Sequence, residues 1–165
     1  MKKELRVLAV AAALLLVAAG AFAANGDTIN IGGQVPLSLD LTVVADAAAD
    51  NLTLVGATAA FNPTIAAITI ATNNTAGWEL WVFAANAAGA STSMINADGD
   101  SIAYTITYAG AGTTGAVDIP AAGVLVGEEG DASGDAAALS VTYDQSTTFP
   151  AGYYSDQLSI VLRAK

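Results

Sequence analysis

The chain of 165 residues has no cysteine and no histidine. Without histidine there is no imidazole acid–base catalyst and no Ser-His-Asp triad. Without cysteine there is no thiol nucleophile and no disulfide, and the usual zinc sites lose their common ligands. Charged residues make up 12% of the chain and aromatics 7%, so solvated amphipathic helices are poorly supplied. Abundant Ala, Gly, Thr and Val point instead to short strands and turns. Carboxylates are the remaining catalytic candidates, and a glycosidase runs on two of them. Most lie in polar loops, where solvation keeps them ordinary acids. Glu79 stands beside Trp78 and Trp81 but has no identifiable partner. No phosphate-binding glycine loop is present. The chain reads as a non-enzyme with no cofactor and no metal, since function has to be argued from a site.

Basic residues are scarce, five against fifteen acidic ones, and their placement is informative. Lys2, Lys3 and Arg6 precede the uncharged apolar run Val7 to Ala19, and Ala21-Phe22-Ala23 has the small-residue form of a signal-peptidase site. Residues 1–23 therefore read as a secretory signal. The uncharged stretch of about 17 residues falls short of the roughly 20 apolar residues of a membrane span, so no span is expected after cleavage. Cleavage takes the basic residues from 5 to 2 and, with Glu4, the acidic ones from 15 to 14, a net charge of −12. The two remaining cations are Arg163 and Lys165. Such a surface repels phosphate backbones and anionic lipid, which excludes nucleic acid as a partner. The expected location is secreted, with the periplasm in transit and the cell surface or medium as destination.

Asp27 to Val44 alternates throughout. Ile29, Ile31, Gly33, Val35, Leu37, Leu39, Leu41 and Val43 share one face, with mostly polar residues between them. Period two is the signature of half-buried strand. Pro36 cannot donate to a ladder, so the run divides into an arm, residues 24–36, and a first body strand, Leu37 to Val44. Further strands are expected at Asn51 to Gly56, Ile65 to Thr72, Trp78 to Phe83, Ile102 to Tyr108, Ala138 to Tyr143 and Ser155 to Leu162, with minor ones at Val117 to Ile119 and Val124 to Val126. The segment Asn73 to Gly77 predicts a hairpin between the second and third of these, and Ala84 to Gly99 a loop. Asn96 to Asp100 has part of the spacing of a calcium loop without its distal Glu, and reads as a turn. Glu128, Glu129, Asp131 and Asp135 read as a solvated loop. Trp81 and Phe83 fall on the face opposite Trp78, Leu80 and Val82. There they are covered by the chain's own loop or a neighbour, or they form a platform for a glycan. The whole predicts an immunoglobulin-like antiparallel β-sandwich of about seven to nine strands over residues 37–165.

The order of these features resembles the secreted β-sandwich subunits of chaperone–usher fimbriae and their spore coat protein U-like relatives. The arm is similar to their donor strand, and ITIATNNTAGWELWVF, IAYTITY and FPAGYYSDQLSIVLRAK are similar to their middle and terminal segments. The resemblance implies a sandwich lacking one strand, with a groove filled first by a periplasmic chaperone and then, through an usher, by the arm of the next copy or a related subunit. Ile29, Ile31, Gly33, Val35 and Leu37 would enter the neighbour's groove, and Leu158, Ile160 and Leu162 would form its wall. Gly33 would sit where room is least. The family's usual cysteine pair, tying the first strand to the next, has no counterpart here. A self-complete extracellular module, with the arm folded onto its own body and a glycan or protein ligand, stands as the alternative.

Overall fold

The computed structural model describes residues 32–112 and 115–165. The expected signal segment, Ile29 and Ile31 lie outside the described residues. The chain divides into two units, Met1–Val35 and Pro36–Lys165. Within the first, Gly32 to Val35 are described; they form no strand and are exposed.

The second unit is all-β, without a helix among the described residues. Its eight antiparallel strands are β1 (Leu39–Ala45), β2 (Thr64–Thr72), β3 (Trp78–Ala84), β4 (Thr92–Ile95), β5 (Ser101–Tyr108), β6 (Val124–Glu129), β7 (Asp135–Thr142) and β8 (Leu158–Ala164). They form two sheets, β1-β2-β7-β5-β4 and β6-β3-β8. Alternation decides what each strand buries. Ala66, Ile68 and Ile70 of β2 face Trp78, Leu80 and Val82 of β3 in one core, joined by Ile102, Tyr104, Ile106 and Tyr108 of β5. Trp78 is fully buried and its indole N–H donates to the Ser133 carbonyl at 2.9 Å.

Five local expectations differ from the structure. The acidic cluster is not one solvated loop: Glu128 and Glu129 lie in β6 and Asp135 opens β7, where its carboxylate accepts from the buried Tyr108 hydroxyl. β2 and β3 are not hairpin partners; they belong to opposite sheets, and residues 73–77 carry the chain between them. Both strands have an apolar face, and stacking those faces buries more than pairing edges would. Asn74 shapes this crossover, donating from Nδ2 to the Gly77 carbonyl at 2.6 Å. Gly77 adopts φ +91°, and a Cβ there would strike the Glu129 carbonyl. The segment Asn51 to Gly56 joins no ladder, although its side chains alternate between exposed and half-buried. Its Thr53 carbonyl is taken instead by the Tyr143 hydroxyl (3.2 Å) and Gln145 Nε2 (2.6 Å). The loop expected over Ala84 to Gly99 contains β4, a strand of four residues whose inward side chains are Thr92 and Met94. Val117 forms a bridge to Ile106, but Ile119, though fully buried, belongs to no strand.

The two ends of the unit differ. At the base, β1 begins and β8 ends beside the 73–77 crossover: Leu39 pairs with Thr72, and Ala164 with Trp78. At the top, the corner between β7 and β8 folds over the sandwich. Ser155 exchanges two backbone hydrogen bonds with Ile95, so β4 is tied to the segment entering β8. β1 and β8 thus run in opposite directions on facing edges.

Candidate functional site

A groove of about 520 Å³ lies along the edge where β1 and β8 face each other. One wall is Val43 and Ala45 of β1, the other Leu158 and Ile160 of β8. The floor is core: Ala66, Met94, Tyr104, Leu139 and Val141, all buried or nearly so. The floor is left without cover because three strands lie over five. Along β1 the inward residues open progressively, from half-buried Leu39 and Leu41 to Val43, which is 41% exposed. Leu162 packs against the core but does not line the groove. The groove is therefore closed at the base and open toward the top.

β8 pairs with β3 on one side. Among the described residues no strand pairs with its other edge, which runs along the groove. An unpaired edge beside an open apolar floor presents backbone donors and acceptors in a row, the arrangement that accepts an added strand.

Asp156, just ahead of β8, fixes the top of this wall. Its Oδ2 accepts from the Tyr104 hydroxyl at 2.8 Å and from Thr92 Oγ1 at 3.1 Å, and its Oδ1 from the backbone N–H of Asn86 (3.0 Å) and Gln157 (2.7 Å). One carboxylate thereby joins β4, β5, the end of β3 and the start of β8. Burial, and then the hydrogen bond to and charge of Asp156, push the Tyr104 phenol above its ordinary pKa, against an opposing hydrogen bond with Thr92. Tyr154 donates to the Pro150 carbonyl at 3.0 Å and its ring packs near Phe149, locking the corner. The tyrosine-rich corner was visible as a motif in the sequence. Asp156 was not, because Ser-Asp-Gln gives no sign of partners 52 and 64 residues away.

At the opposite end Asn73 holds the root of β1. It accepts from the Ser38 N–H at 2.7 Å, donates from Nδ2 to the Pro36 carbonyl at 2.8 Å, and donates its own N–H to the Ser38 carbonyl at 3.2 Å. Thr72 Oγ1 adds a bond to the Ser38 carbonyl at 3.0 Å. Just outside this clamp Val35 and Leu37 are exposed, at 82% and 61%.

Trp81 and Phe83 lie on the outer face of the three-stranded sheet, away from the groove. Their rings stack at 6.5 Å between centroids, and the Arg163 guanidinium sits over both, 5.0 Å from Trp81 and 5.9 Å from Phe83. The Trp81 N–H donates to Glu79 Oε2 at 2.9 Å, and the Phe83 ring contacts Gly123. Both are half-buried beneath the chain's own residues. The Asn96 turn is closed by Asn96 Oδ1, which accepts from the N–H groups of Asp98 and Asp100. No group of three or more acidic, histidine or cysteine residues among the described residues is placed to hold a metal. No helix among them is long and apolar enough to cross a membrane.

Compared with known proteins, the chain matches no family model and no curated sequence.

Proposed function

We propose that the chain is a secreted structural subunit of a fimbria or surface coat, assembled by donor-strand exchange between copies. The observation that carries this reading is the groove, an unpaired β8 edge over an apolar floor. On an immunoglobulin-like scheme β1, β2, β7 and β5 take the order A-B-E-D, and β3 and β8 the places of C and F. The place of G, beside β8, is the groove. Tyr154 supports the same scheme, bonding back four residues as the corner tyrosine does between strands E and F.

The arm has the pattern such a groove admits. Ile29 to Val35 spans about 20 Å when extended, about the length of β8, and its apolar side chains project to one side. Chain direction favours a neighbour over self-insertion. β1 starts at the base, where β8 ends. An arm turning back into its own groove would run parallel to β8, the one parallel pair in an otherwise antiparallel fold, and would have to reverse within Pro36 to Ser38. An arm from another copy, entering from the top, runs antiparallel, the slightly more stable arrangement. The arm leaves at the base and the groove opens at the top, so donation joins opposite ends and extends into a filament rather than closing a dimer. A periplasmic chaperone would hold the groove before exchange, and an usher would pass the subunit outward.

The test compares the secreted chain with an Ile31→Asp/Val35→Asp variant by size-exclusion chromatography and negative-stain microscopy. Ladders or filaments from the first, and from the second a folded monomer that takes up a synthetic Asp27–Leu37 peptide, are expected. A variant that unfolds instead means that the arm completes its own sandwich, and the reading fails.

A further inference from the structure

We infer that consecutive copies also touch body to body, the rim of the groove mouth seating the base of the next subunit at an angle set by Asn73. The inference rests on the donor-strand reading and adds to it an interaction surface between copies.

Three exposed apolar side chains from separate segments border the open end of the groove: Val43 of β1, Val55 of the extended 51–56 segment, and Tyr153 of the corner. Val55 is 69% exposed and Tyr153 72%. Tyr153 contrasts with its neighbour Tyr154, which is buried and hydrogen-bonded. An apolar rim of this kind marks an interaction surface.

The chain identifies the occupant by its length. With Val35 in a neighbour's groove, only Pro36, Leu37 and Ser38 separate it from β1 of its own body. Four extended steps span at most about 14 Å, so the donor's base is held within side-chain reach of the acceptor's rim. Leu37, apolar and 61% exposed, falls in that gap. Nor is the short connection free to swing. Asn73 and Thr72 hold Pro36 and Ser38 through four hydrogen bonds, two of them on the Ser38 carbonyl. Asn73 acts here as a positioning residue: it does not line the groove, and it fixes where the chain leaves the body. The occupant of the rim is a second copy of this chain.

The experiment measures filament bending by negative-stain microscopy for the secreted chain and its Asn73→Ala variant, with uptake of the Asp27–Leu37 peptide and thermal melting in parallel. Expected are unchanged peptide uptake and a persistence length about threefold shorter or less, as a clamped connection becomes a flexible linker. Among filaments formed by a Val55→Ser/Tyr153→Ser variant, the same loss of stiffness is expected. Filaments of Asn73→Ala as stiff as the parent overturn the inference and leave donor-strand exchange standing. A parent chain that stays monomeric at every concentration overturns both.

Discussion

Removal of the Asp156 carboxylate should be the most damaging single change near the groove that deletes no apolar atom from the core. In Asp156→Ala the Tyr104 hydroxyl and Thr92 Oγ1 lose a shared acceptor; Tyr104 is 4% exposed and Thr92 2%. An orphaned buried hydroxyl costs about 1–3 kcal/mol. The Thr92–Tyr104 hydrogen bond leaves one of the two with a partner, so the loss is about 2 kcal/mol. For a body of this size that lowers the melting temperature by roughly 8 °C. The assay is thermal and urea unfolding in two backgrounds, wild type and Thr92→Val/Tyr104→Phe, in which both donors are gone. There the same substitution should cost under about 1 kcal/mol, the difference being the coupling energy of the network. Because Asp156 leads directly into β8, peptide uptake should weaken along with stability. A loss below about 1 kcal/mol in wild type, or an equal loss in both backgrounds, refutes the argument that this carboxylate holds the groove wall through its two hydroxyl partners.

Asp135 accepts from the Tyr108 hydroxyl and from the N–H groups of Ala111 and Ala136; although burial opposes its charge, these bonds outweigh burial and hold its pKa below the usual carboxylate range. A depressed native pKa contributes stability above the unfolded value of about 3.9 and loses it as pH falls through the native one, so the stability gap between wild type and Asp135→Asn should narrow on acidification, measured by urea unfolding from pH 6 downward. Gly77→Ala should cost more than about 2 kcal/mol by thermal melting, since φ is +91° and the Glu129 carbonyl blocks a Cβ. Tyr154→Phe should cost about 2 kcal/mol for the hydrogen bonds its hydroxyl makes with the Pro150 carbonyl and the Asn96 side chain, with Tyr153→Phe near neutral in the same assay. Trp81→Ala should leave filament formation unchanged, because Trp81 lies outside the groove under Arg163.

Alternation made the strands legible. β2, β3, β5, β7 and β8 fall where period-two runs place them, since a strand buried on one face must write that face into every second residue. The two-sheet arrangement was legible too, because eight short strands without a helix have few other ways to bury their apolar faces. Pairing partners were less so. Residues 73–77 look like a hairpin turn, and only the presence of two strongly apolar faces, Ile68 with Ile70 and Trp78 with Leu80, argues for a crossover between sheets. β4 was not legible because TSMI has four residues and its two large apolar side chains, Met94 and Ile95, are adjacent rather than alternating. Asn51 to Gly56 has strand-like alternation, with Leu52 and Leu54 half-buried; the Ser146 N–H reaches the Leu54 carbonyl, but the Thr53 carbonyl is taken by the side chains of Tyr143 and Gln145, and no ladder forms. At the groove, Leu158 and Ile160 were identifiable as inward residues of the final strand. Asp156 and Asn73 were not, because their roles come from partners dozens of residues away.

The absence of cysteine bears on how an edge strand stays in place beside an open groove. β1 pairs with β2 alone, buries only Leu39 and Leu41 in part, and borders the space a strand would enter. Proteins similar in pattern tie this strand with a disulfide, which contributes about 2–4 kcal/mol by limiting the unfolded chain. Here the same strand has a seven-residue register with β2 and, at its root, four hydrogen bonds from Asn73 and Thr72. At about 0.5–1.5 kcal/mol each, those four fall in the same range as the disulfide. They differ from it in position: they act at the base, where Pro36 leaves the body, while Val43 to Ala45 at the mouth are held through their pairing with β2. A covalent tie midway along β1 would stiffen the groove wall itself. On the donor-strand proposal the mouth end of β1 borders the incoming arm, so a disulfide engineered between Val43 and Ile68, which pair across β1 and β2, should slow peptide uptake.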